Sequence, residues 1–347
     1  MLSSSVHAFF NCILTSAVLL FLPVFAGSAS AKMCIVLLAG QSNMAGRGNI
    51  RIPEDTVTYK NIVSLNKDSV WVRAKHPLHW DKAEAGVGMG IAFAHELSVL
   101  LKTTDTIALV PCAAGGTTVD NWLGDDYFAF TGKYNLYSNL INRAKRAAKS
   151  GPIIGMIWHQ GESDATAGLY STYQGKLEKL FKMIRTDLNL PEMPIVAGEL
   201  GRFLVSSKSY PRWEAINTSI NNLKTGLQNY SVASSTGLAS NSDNTHFSSA
   251  SQNSFGNLYA GLFFKLIDSK TSATHNPARP GFHESRYIMA DRMGLTVIGD
   301  IPKGTRIDFY TLSGRHVKTA IAAKAGDRIS LDGLTGLFLA KLKPGAG

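Results

Sequence analysis

The stretch that decides the fold lies at residues 33–46 and reads MCIVLLAGQSNMAG. Its first half, Cys34–Leu38, is continuously apolar and lacks the polar alternation of a strand with one face in water. Such a run is typical of a parallel strand that is covered on both faces. Two glycines and several polar side chains follow at once, so we expect the strand to end in a tight turn.

Further apolar runs occur along the chain, and amphipathic stretches separate them. The runs are Ile107–Val110, Ile153–Ile157, Ile195–Ala197 and a weaker one near Ser231–Leu238. Apolar residues recur at helical three- and four-residue steps between Tyr170 and Leu188 and between Trp213 and Leu227. Strands that alternate with helices predict a three-layer α/β domain built on a parallel sheet.

Changes in composition predict where this domain ends. We expect the α/β domain to span residues 32–267, with a last helix that runs from about Ser248 to Ile267. Residues 268–282 contain Ser, Thr, Asn and two prolines, so we interpret them as a linker. Residues 283–347 change to short strands separated by turns, which predicts a small β-rich C-terminal module.

The amino terminus has the pattern of a signal peptide. Residues 1–31 contain no Asp, Glu, Lys or Arg, and an apolar run from Phe9 to Phe25 leads into the small residues Ala29-Ser30-Ala31. A membrane anchor is the alternative, but Pro23 and Gly27 argue against a continuous span of about 20 apolar residues. We therefore expect export, cleavage before Lys32, and a secreted or cell-surface protein with no membrane span after cleavage.

Composition and charge narrow the function classes. The 347 residues are 45% hydrophobic and 17% charged, which excludes intrinsic disorder. The net charge is +10, but the Lys and Arg residues are scattered, so we expect no nucleic-acid partner. Cys34 begins the first strand and Cys112 ends the second, at opposite ends of neighbouring strands, so we expect both thiols to stay unpaired.

Four polar or glycine-rich segments each follow a predicted strand. They are residues 39–46, 111–117, 158–164 and 243–246. In a parallel sheet all strands point the same way, so these segments converge at the carboxyl edge, where open α/β sheets bind ligands. This edge is the expected functional site.

Three residues in these segments predict nucleophilic catalysis. A serine hydroxyl such as Ser42 becomes a nucleophile when a histidine removes its proton. His246 is the candidate base, and Asp243, three residues earlier, is the candidate carboxylate that orients it. An oxyanion then needs donors, and we expect the backbone N–H groups of Ser42, Gly115 and Gly116 and the side-chain amide of Gln160 to supply them.

Metal catalysis has little support in the sequence. The nine His residues show neither an H-E-x-x-H nor a C-x-x-C spacing, so we expect no metal and no cofactor. Glycoside hydrolysis by Glu162 and Asp243 is another reading, but it leaves Ser42 and His246 without a role.

These motifs resemble a known family. Gly40–Met44, Gly115–Thr117, Gln160–Asp164 and the Asp243-x-x-His246 pair are similar to the four sequence blocks of the SGNH hydrolase superfamily. More narrowly, they resemble its sialate O-acetylesterase branch, which includes carbohydrate esterase family six. The resemblance implies a flavodoxin-like α/β/α fold and a metal-free esterase that removes acetyl groups from sugars.

The resemblance also implies roles for individual residues. Ser42 is the implied nucleophile, His246 the base and Asp243 its partner, while Gln41, Asn43 and Glu162 support the site. Many members of the superfamily have Asn in the third block where this chain has Gln160. Because of that departure, the resemblance does not by itself assign the role of side-chain oxyanion donor to Gln160.

From these patterns we expect an exported carbohydrate esterase that acts on an acetylated polysaccharide, with acetylxylan favoured over sialic acid. The alternatives are a sialate O-acetylesterase and a non-catalytic glycan-binding protein that stacks sugars on Trp80, Trp122 and Trp158. Three segments of the C-terminal module resemble the sorting or surface-attachment modules of secreted glycan-degrading enzymes. Those segments are Ile307–Tyr310, Ser313–Val317 and Leu334–Leu339. Secretion machinery or the cell surface is therefore an expected partner of residues 283–347, with glycan contact as the alternative.

Overall fold

The computed structural model describes residues 32–274, apart from 104 and 129–133, and a set of short strands between 287 and 343. The predicted signal peptide at residues 1–31 lies outside the described residues, as do residues 275–282 of the predicted linker.

The strands of the main domain form one sheet and one short ribbon. They are β1 (Met33–Gly40), β2 (Ile62–Leu65), β3 (Trp71–Arg73), β4 (Thr106–Pro111), β5 (Tyr127–Phe128), β6 (Tyr134–Asn135), β7 (Ile153–His159), β8 (Ile195–Gly198) and β9 (Tyr230–Ala233). The helices are α1 (Ser42–Ala45), α2 (Gly90–Leu100), α3 (Val119–Leu123), α4 (Leu136–Ala147), α5 (Tyr170–Asp187), α6 (Trp213–Asn222) and α7 (Ser249–Thr274). Short 3₁₀ turns lie at Glu162–Asp164, Arg202–Ser206 and Leu223–Thr225.

Seven strands form the central sheet in the order β3-β2-β4-β1-β7-β8-β9. All neighbours from β2 to β9 pair in parallel, and only β3 runs antiparallel, against β2 at the edge. β5 and β6 pair separately as a two-stranded ribbon. The carboxyl ends of the six parallel strands therefore share one edge, and the loops that follow them meet there.

Two hydrophobic cores cover the sheet, one on each face. Ile35 and Leu37 of β1 pack in the first core with α3, α4, α5 and α6. Val36 and Leu38 point the other way and pack in the second core with α2 and α7. Alternate residues of an apolar strand thus fill opposite layers, which confirms the predicted three-layer α/β fold.

The predicted strands and the two predicted helices are present in the structure. β2 and β3, by contrast, were not predicted, because strands of four and three residues are too short to show a hydrophobic period. The last helix also differs, since it ends at Thr274 and not near Ile267. Serine and threonine lower helix propensity without interrupting a helix, and the first proline after Ile267 is Pro277.

The C-terminal residues contain six described strands in two antiparallel sheets. These strands are β10 (Tyr287–Asp291), β11 (Gly294–Ile298), β12 (Thr305–Thr311), β13 (His316–Ala322), β14 (Arg328–Ile329) and β15 (Phe338–Lys343). One sheet has the order β10-β11-β14 and the other β13-β12-β15. The segment is β-rich, as its sequence predicts, while its role as a sorting or attachment module stays a prediction.

Two further expectations concern the cysteines and the membrane. Cys34 and Cys112 are both free, which confirms that they do not pair. Among the described residues, no helix combines the length and apolarity that crossing a bilayer requires.

Candidate active site

The site begins at the end of β1, where the chain turns sharply into α1. Gly40 has φ +137°, and a Cβ there would lie 2.1 Å from the carbonyl oxygen of His159 on the neighbouring strand. Only glycine fits this close approach. The backbone N–H of Gln41 donates to the same carbonyl at 2.9 Å, which fixes Ser42 as the first residue of α1.

Ser42, His246 and Asp243 come together although Ser42 lies about 200 residues from the other two. The Nε2 atom of His246 lies 2.9 Å from Oγ of Ser42, and Nδ1 lies 2.7 Å from Oδ2 of Asp243. Nδ1 donates to the carboxylate in this arrangement, so Nε2 is left to accept the proton of the serine hydroxyl. The structure thus brings together all three residues of the predicted triad.

The segment that carries His246 is a surface loop, residues 241–246, called here the outer loop. The side chain of Asp243 is 46% exposed and that of His246 is 21% exposed. Oδ1 of Asp243 also accepts the backbone N–H groups of Thr245 and His246, each at 2.8 Å. One carboxylate therefore closes the turn with one oxygen and orients the histidine with the other.

Asp243 is ionised in this setting. Burial raises the pKa of its carboxyl group, but hydrogen bonds from the His246 ring and from two backbone N–H groups outweigh it and hold the pKa below its usual value. A charged carboxylate beside Nδ1 stabilises the imidazolium that forms when His246 takes a proton.

The expected oxyanion donors differ in what they contact. The N–H of Gly115 donates to Oδ2 of Asp81 at 2.7 Å, so it is not free for an oxyanion. Arg47 donates to the same carboxylate at 2.5 Å, which ties the Gly115 turn to the chain after Ser42. Within the described residues, the N–H groups of Ser42 and Gly116 donate to no acceptor. Ser42 and Gly116 therefore remain as backbone donors, and Gly115 does not.

The side chain of Gln160 is not placed as an oxyanion donor, contrary to the prediction. Gln160 is fully buried, and its amide donates to Oδ2 of Asp164 at 2.5 Å and to the carbonyl of Thr117 at 2.9 Å. Both amide protons are therefore used inside the protein. Gln160 holds the Thr117 turn in place, and its own position is fixed by Oε1 of Gln41 at 3.2 Å.

Gln41 and Asn43, which flank Ser42 and which we expect to support the site, each make a different contact. Oε1 of Gln41 faces the backbone N–H groups of Gly161 at 3.2 Å and Ser163 at 3.3 Å. The amide of Asn43 accepts the N–H of Phe247 at 3.0 Å and donates to the carbonyl of Thr245 at 3.3 Å. Asn43 thus holds the residues on both sides of His246 against the end of β1.

Asn43 is itself fixed by Glu162, which lies in the buried segment of residues 159–164, called here the inner floor. Its Nδ2 atom donates to Oε1 of Glu162 at 2.5 Å. That same oxygen lies 3.3 Å from Nε2 of His159, and Glu162 is 1% exposed. Burial raises the pKa of the Glu162 carboxyl group. The hydrogen bonds from His159 and Asn43 lower this pKa by more than burial raises it, so the pKa stays below its usual value.

Two contributors to the site carried no signal in the sequence. Asp81 follows no predicted strand, so nothing marked it as a neighbour of Ser42. No sequence pattern assigned a role to His159, which is fully buried and contacts both Glu162, at 3.3 Å, and the hydroxyl of Tyr259, at 3.2 Å.

The structure weakens two alternative interpretations. Trp122 and Trp158 are completely buried in the first core, so they offer no face for stacking a sugar, whereas Trp80 is partly exposed and contacts the Arg143 guanidinium. Glu162 is buried beneath Asn43 and bonded to it, so it does not flank a bond opposite Asp243 as glycoside hydrolysis requires. The arrangement instead fits acyl transfer: a serine, a base oriented by a carboxylate, and free backbone donors nearby.

Comparisons with known proteins agree with this geometry. Residues 32–265 match the family described as carbohydrate esterase, sialic acid-specific acetylesterase. A curated protein of Arabidopsis thaliana, a probable carbohydrate esterase, is 35% identical over an alignment of 181 residues, and the match covers 47% of this chain and 66% of that protein. The match thus covers slightly less than two thirds of this relative.

Solved structures share the fold. The crystal structure of an Arabidopsis thaliana protein superposes with a TM-score of 0.59 at 30% identity and covers 68% of this chain and 98% of its own. A carbohydrate acetylesterase from Xanthomonas citri superposes with a TM-score of 0.52 at 16% identity and covers 85% of this chain and 71% of its own. At that identity the second likeness concerns the fold alone.

Proposed function

The chain belongs to the sialic acid-specific acetylesterase family of carbohydrate esterases, and we propose that within it this protein is an exported acetylxylan esterase with Ser42 as nucleophile. The observation that carries the mechanism is the pair of contacts on His246, 2.9 Å to the Ser42 hydroxyl and 2.7 Å to the Asp243 carboxylate.

In the first half-reaction, Oγ of Ser42 attacks the carbonyl carbon of the acetyl ester while Nε2 of His246 takes the hydroxyl proton. The negative charge that forms on the carbonyl oxygen is accepted by the N–H groups of Ser42 and Gly116. As the tetrahedral intermediate collapses, the C–O bond to the sugar breaks, and His246 returns its proton to the sugar oxygen.

In the second half-reaction, water replaces the sugar. Nε2 of His246 takes a proton from this water, and the oxygen attacks the acetyl-Ser42 ester. The intermediate releases acetate, and the proton returns to Oγ of Ser42. Asp243 stays ionised throughout and stabilises the imidazolium in both halves.

The exposed outer loop supports a polymeric substrate. Asp243 and His246 lie where the protein meets solvent, so an ester on a long chain can approach them without entering an enclosed cavity. The C-terminal strands and the apolar amino terminus are the features that favour an exported enzyme with a surface or secretion partner. In this proposal residues 283–347 contact the secretion machinery or the cell surface.

A sialate O-acetylesterase is the second candidate, favoured by the description of the family that matches residues 32–265. It uses the same triad and differs only in the sugar that carries the acetyl group. Substrate comparison separates the two candidates.

The test is acetate release from acetylated xylan, from O-acetylated sialic acid and from a small aryl acetate, by the parent and by Ser42→Ala. We expect turnover of the aryl acetate and a higher kcat/KM on xylan than on the sialic acid, with all activity lost in the folded variant. A higher kcat/KM on the sialic acid than on xylan would contradict the acetylxylan substrate and favour a sialate O-acetylesterase. Unchanged activity in Ser42→Ala would refute the assignment of Ser42 as nucleophile.

Export has its own measurement. The full chain would be expressed in a bacterial host, and the protein recovered outside the cytoplasm would be analysed by intact mass. We expect a mature chain that begins at Lys32, and an intact chain retained in the cytoplasm would contradict export.

A further inference from the structure

Two surface grooves of similar size differ sharply in charge. The first, of about 480 Å³, lies along α5 and is lined by Glu178 and Asp187 as well as Lys179 and Lys182, so its charges balance. The second, of about 460 Å³, is lined by cations and neutral polar residues without any Asp or Glu. We call the second one the cationic groove, and its charged residues are Lys67, Arg143, Lys145, Arg146 and Lys149.

Three of the four exposed cations of this groove lack carboxylate partners among the described residues. In the part of the chain that the structure describes, Lys145, Arg146 and Lys149 form no ion pair. Lys67 pairs with Asp68 at 2.9 Å, but both side chains are more than 60% exposed, where such a pair is weak. In the balanced groove, by contrast, Lys182 pairs with Glu178 at 2.6 Å.

Arg143 adds a buried charge beneath the exposed ones. It is 5% exposed, and its guanidinium donates to the carbonyls of Leu65 at 2.6 Å, Asn66 at 3.0 Å and Pro111 at 3.2 Å. These carbonyls satisfy its N–H groups but do not cancel its charge, because each is a neutral dipole. The Trp80 ring also stabilises the guanidinium, whose central carbon lies 4.8 Å from the ring centroid, but the ring carries no net charge, so Arg143 adds to the positive potential of the groove above it.

The contacts of Arg143 also place the groove relative to Ser42. Leu65 ends β2 and Pro111 ends β4, so Arg143 lies at the carboxyl edge of the sheet, the edge that holds Ser42 after β1. β4 pairs with β1 on one side and with β2 on the other. Neighbouring strands lie about 4.8 Å apart, and the register places Leu65 level with Leu37, three residues before the end of β1, so the ends of β1 and β2 are separated by about 14 Å.

We propose that the cationic groove binds uronate carboxylates of an acidic, acetylated polysaccharide whose acetyl ester lies at Ser42. The inference rests on the polysaccharide substrate of the proposed function. Carboxylates are the anions that such a polymer carries, and Lys and Arg side chains bind them by charge-assisted hydrogen bonds. The groove thus selects acidic chains over neutral ones without taking part in the reaction.

The test compares two double variants that each remove two exposed lysines. Lys145→Gln with Lys149→Gln removes two of the five cations of the cationic groove, and Lys179→Gln with Lys182→Gln makes the same change of charge in the balanced groove. The substrates are acetylated glucuronoxylan, the same polymer after its carboxyl groups are reduced to alcohols, and an aryl acetate.

We expect the first double variant to raise KM for glucuronoxylan about 10-fold, with the reduced polymer and the aryl acetate unaffected. The control double variant should behave as the parent on all three substrates. The advantage of glucuronoxylan over the reduced polymer should also shrink as salt rises from about 50 to 500 mM, because salt screens exposed charges. Equal KM values for the two double variants would overturn the proposal.

A direct binding measurement separates this inference from the proposed function. If the parent turns over the aryl acetate but neither polymer, the polysaccharide substrate fails, and titration of the protein with deacetylated glucuronoxylan then tests the groove alone. Binding that is lost in the first double variant supports the groove. Tighter binding of a duplex oligonucleotide than of the polyuronate contradicts the proposed ligand.

Discussion

The outer loop, residues 241–246, and the inner floor, residues 159–164, both contact the Ser42–Asn43 segment but contribute different physical properties. Asp243 in the loop is 46% exposed, whereas Glu162 in the floor is 1% exposed. The loop is held by short-range bonds within its own turn. The floor is held by a buried network that includes Gln160, Asp164 and His159.

The difference in exposure matches two separate tasks of the two carboxylates. Asp243 orients His246, and Glu162 fixes the position of the loop through Asn43. His246 exchanges protons with the substrate and needs access to it, so His246 and its partner Asp243 lie on the loop. The groups that keep the loop in register need a dry and rigid setting, so they lie in the floor. Asn43 connects the two regions, since it bonds to Glu162 on one side and to Thr245 and Phe247 on the other.

The largest expected effect comes from the loop carboxylate. Asp243→Asn is expected to lower kcat by about 10³- to 10⁴-fold, because a neutral amide cannot stabilise the His246 imidazolium or hold its tautomer. Oδ1 of the new amide can still accept the Thr245 and His246 N–H groups, so thermal stability should change little. Steady-state kinetics on an aryl acetate and a melting curve measure both quantities.

Glu162→Gln is the counterpart in the floor, because its amide oxygen can still accept the N–H of Asn43. We expect a loss of kcat below about 10-fold for this variant. Equal losses in the two carboxylate variants would break the distinction between loop and floor.

The second prediction concerns Asn43 as a positioning residue. Asn43→Ala is expected to lower kcat about 100-fold with KM unchanged, because His246 loses the contacts that fix its loop. If Glu162 acts through Asn43, Glu162→Ala should cost little more in the Asn43→Ala background, and a double-mutant cycle measures this. Additive losses would show that Glu162 acts on the reaction by another route.

Asn217→Ala serves as the matched control for that cycle. Asn217 is also buried, and its amide makes two bonds to the backbone of Leu200. We expect a similar loss of thermal stability but a kcat within about twofold of the parent. A large loss of kcat here would mean that general loosening, and not the position of His246, explains the Asn43 result.

The third prediction sharpens the assignment of the oxyanion donors. Asp81→Asn weakens the hold on the Gly115 turn and is expected to lower kcat about 10-fold, because the Gly116 N–H moves from its position. Asp55→Asn is the control, since Asp55 is another buried aspartate paired with an arginine, Arg51, at 2.7 Å. Kinetics on the aryl acetate should show a loss only in the first variant.

The smallest effect is a pH dependence of stability within the floor. Burial raises the pKa of Asp164 from 3.8 to about 6, despite hydrogen bonds from Gln160 and Val119. The folded protein therefore keeps this proton up to about pH 6, whereas the unfolded chain releases it near pH 4. The contribution of Asp164 to the free energy of unfolding thus falls as pH rises through this window.

Asp164→Asn removes that dependence. Between pH 4 and pH 7 the stability of the parent relative to the variant should fall by about 2.5 kcal/mol, measured by urea unfolding. Asp55→Asn should show the opposite sign below about pH 4, where the parent should lose stability relative to this variant as pH falls. The reason is that burial raises the pKa of Asp55, but its bonds to Arg51 outweigh burial and hold the pKa below its usual value. Slopes of the same sign in both variants would contradict the assignment.

Much of the site was predictable because strand direction is readable from the sequence. Continuous apolar runs such as Cys34–Leu38 identify parallel strands, and the polar residues after them must then meet at one edge. That reasoning brought Ser42 and His246 together across about 200 residues.

The errors arose where a side chain had more than one available partner. Gln160 lies on the correct edge, but the sequence does not show that Asp164 and Thr117 take both of its amide protons. Asp81 follows no apolar run, and nothing in the sequence places Lys67 beside the four other cations of the cationic groove, which cluster at Arg143–Lys149. Such positions depend on tertiary packing, which a local pattern does not record.

The central claim is that Ser42 forms a covalent acyl-enzyme. Its most direct test is reaction of the parent and of Ser42→Ala with a dialkyl aryl phosphate, which transfers a phosphoryl group to an activated serine, followed by digestion and tandem mass spectrometry. We expect one adduct, on Ser42, that accumulates in step with the loss of esterase activity and is absent from the variant. An adduct on another residue that accompanies inactivation, or full activity in Ser42→Ala, would contradict the claim.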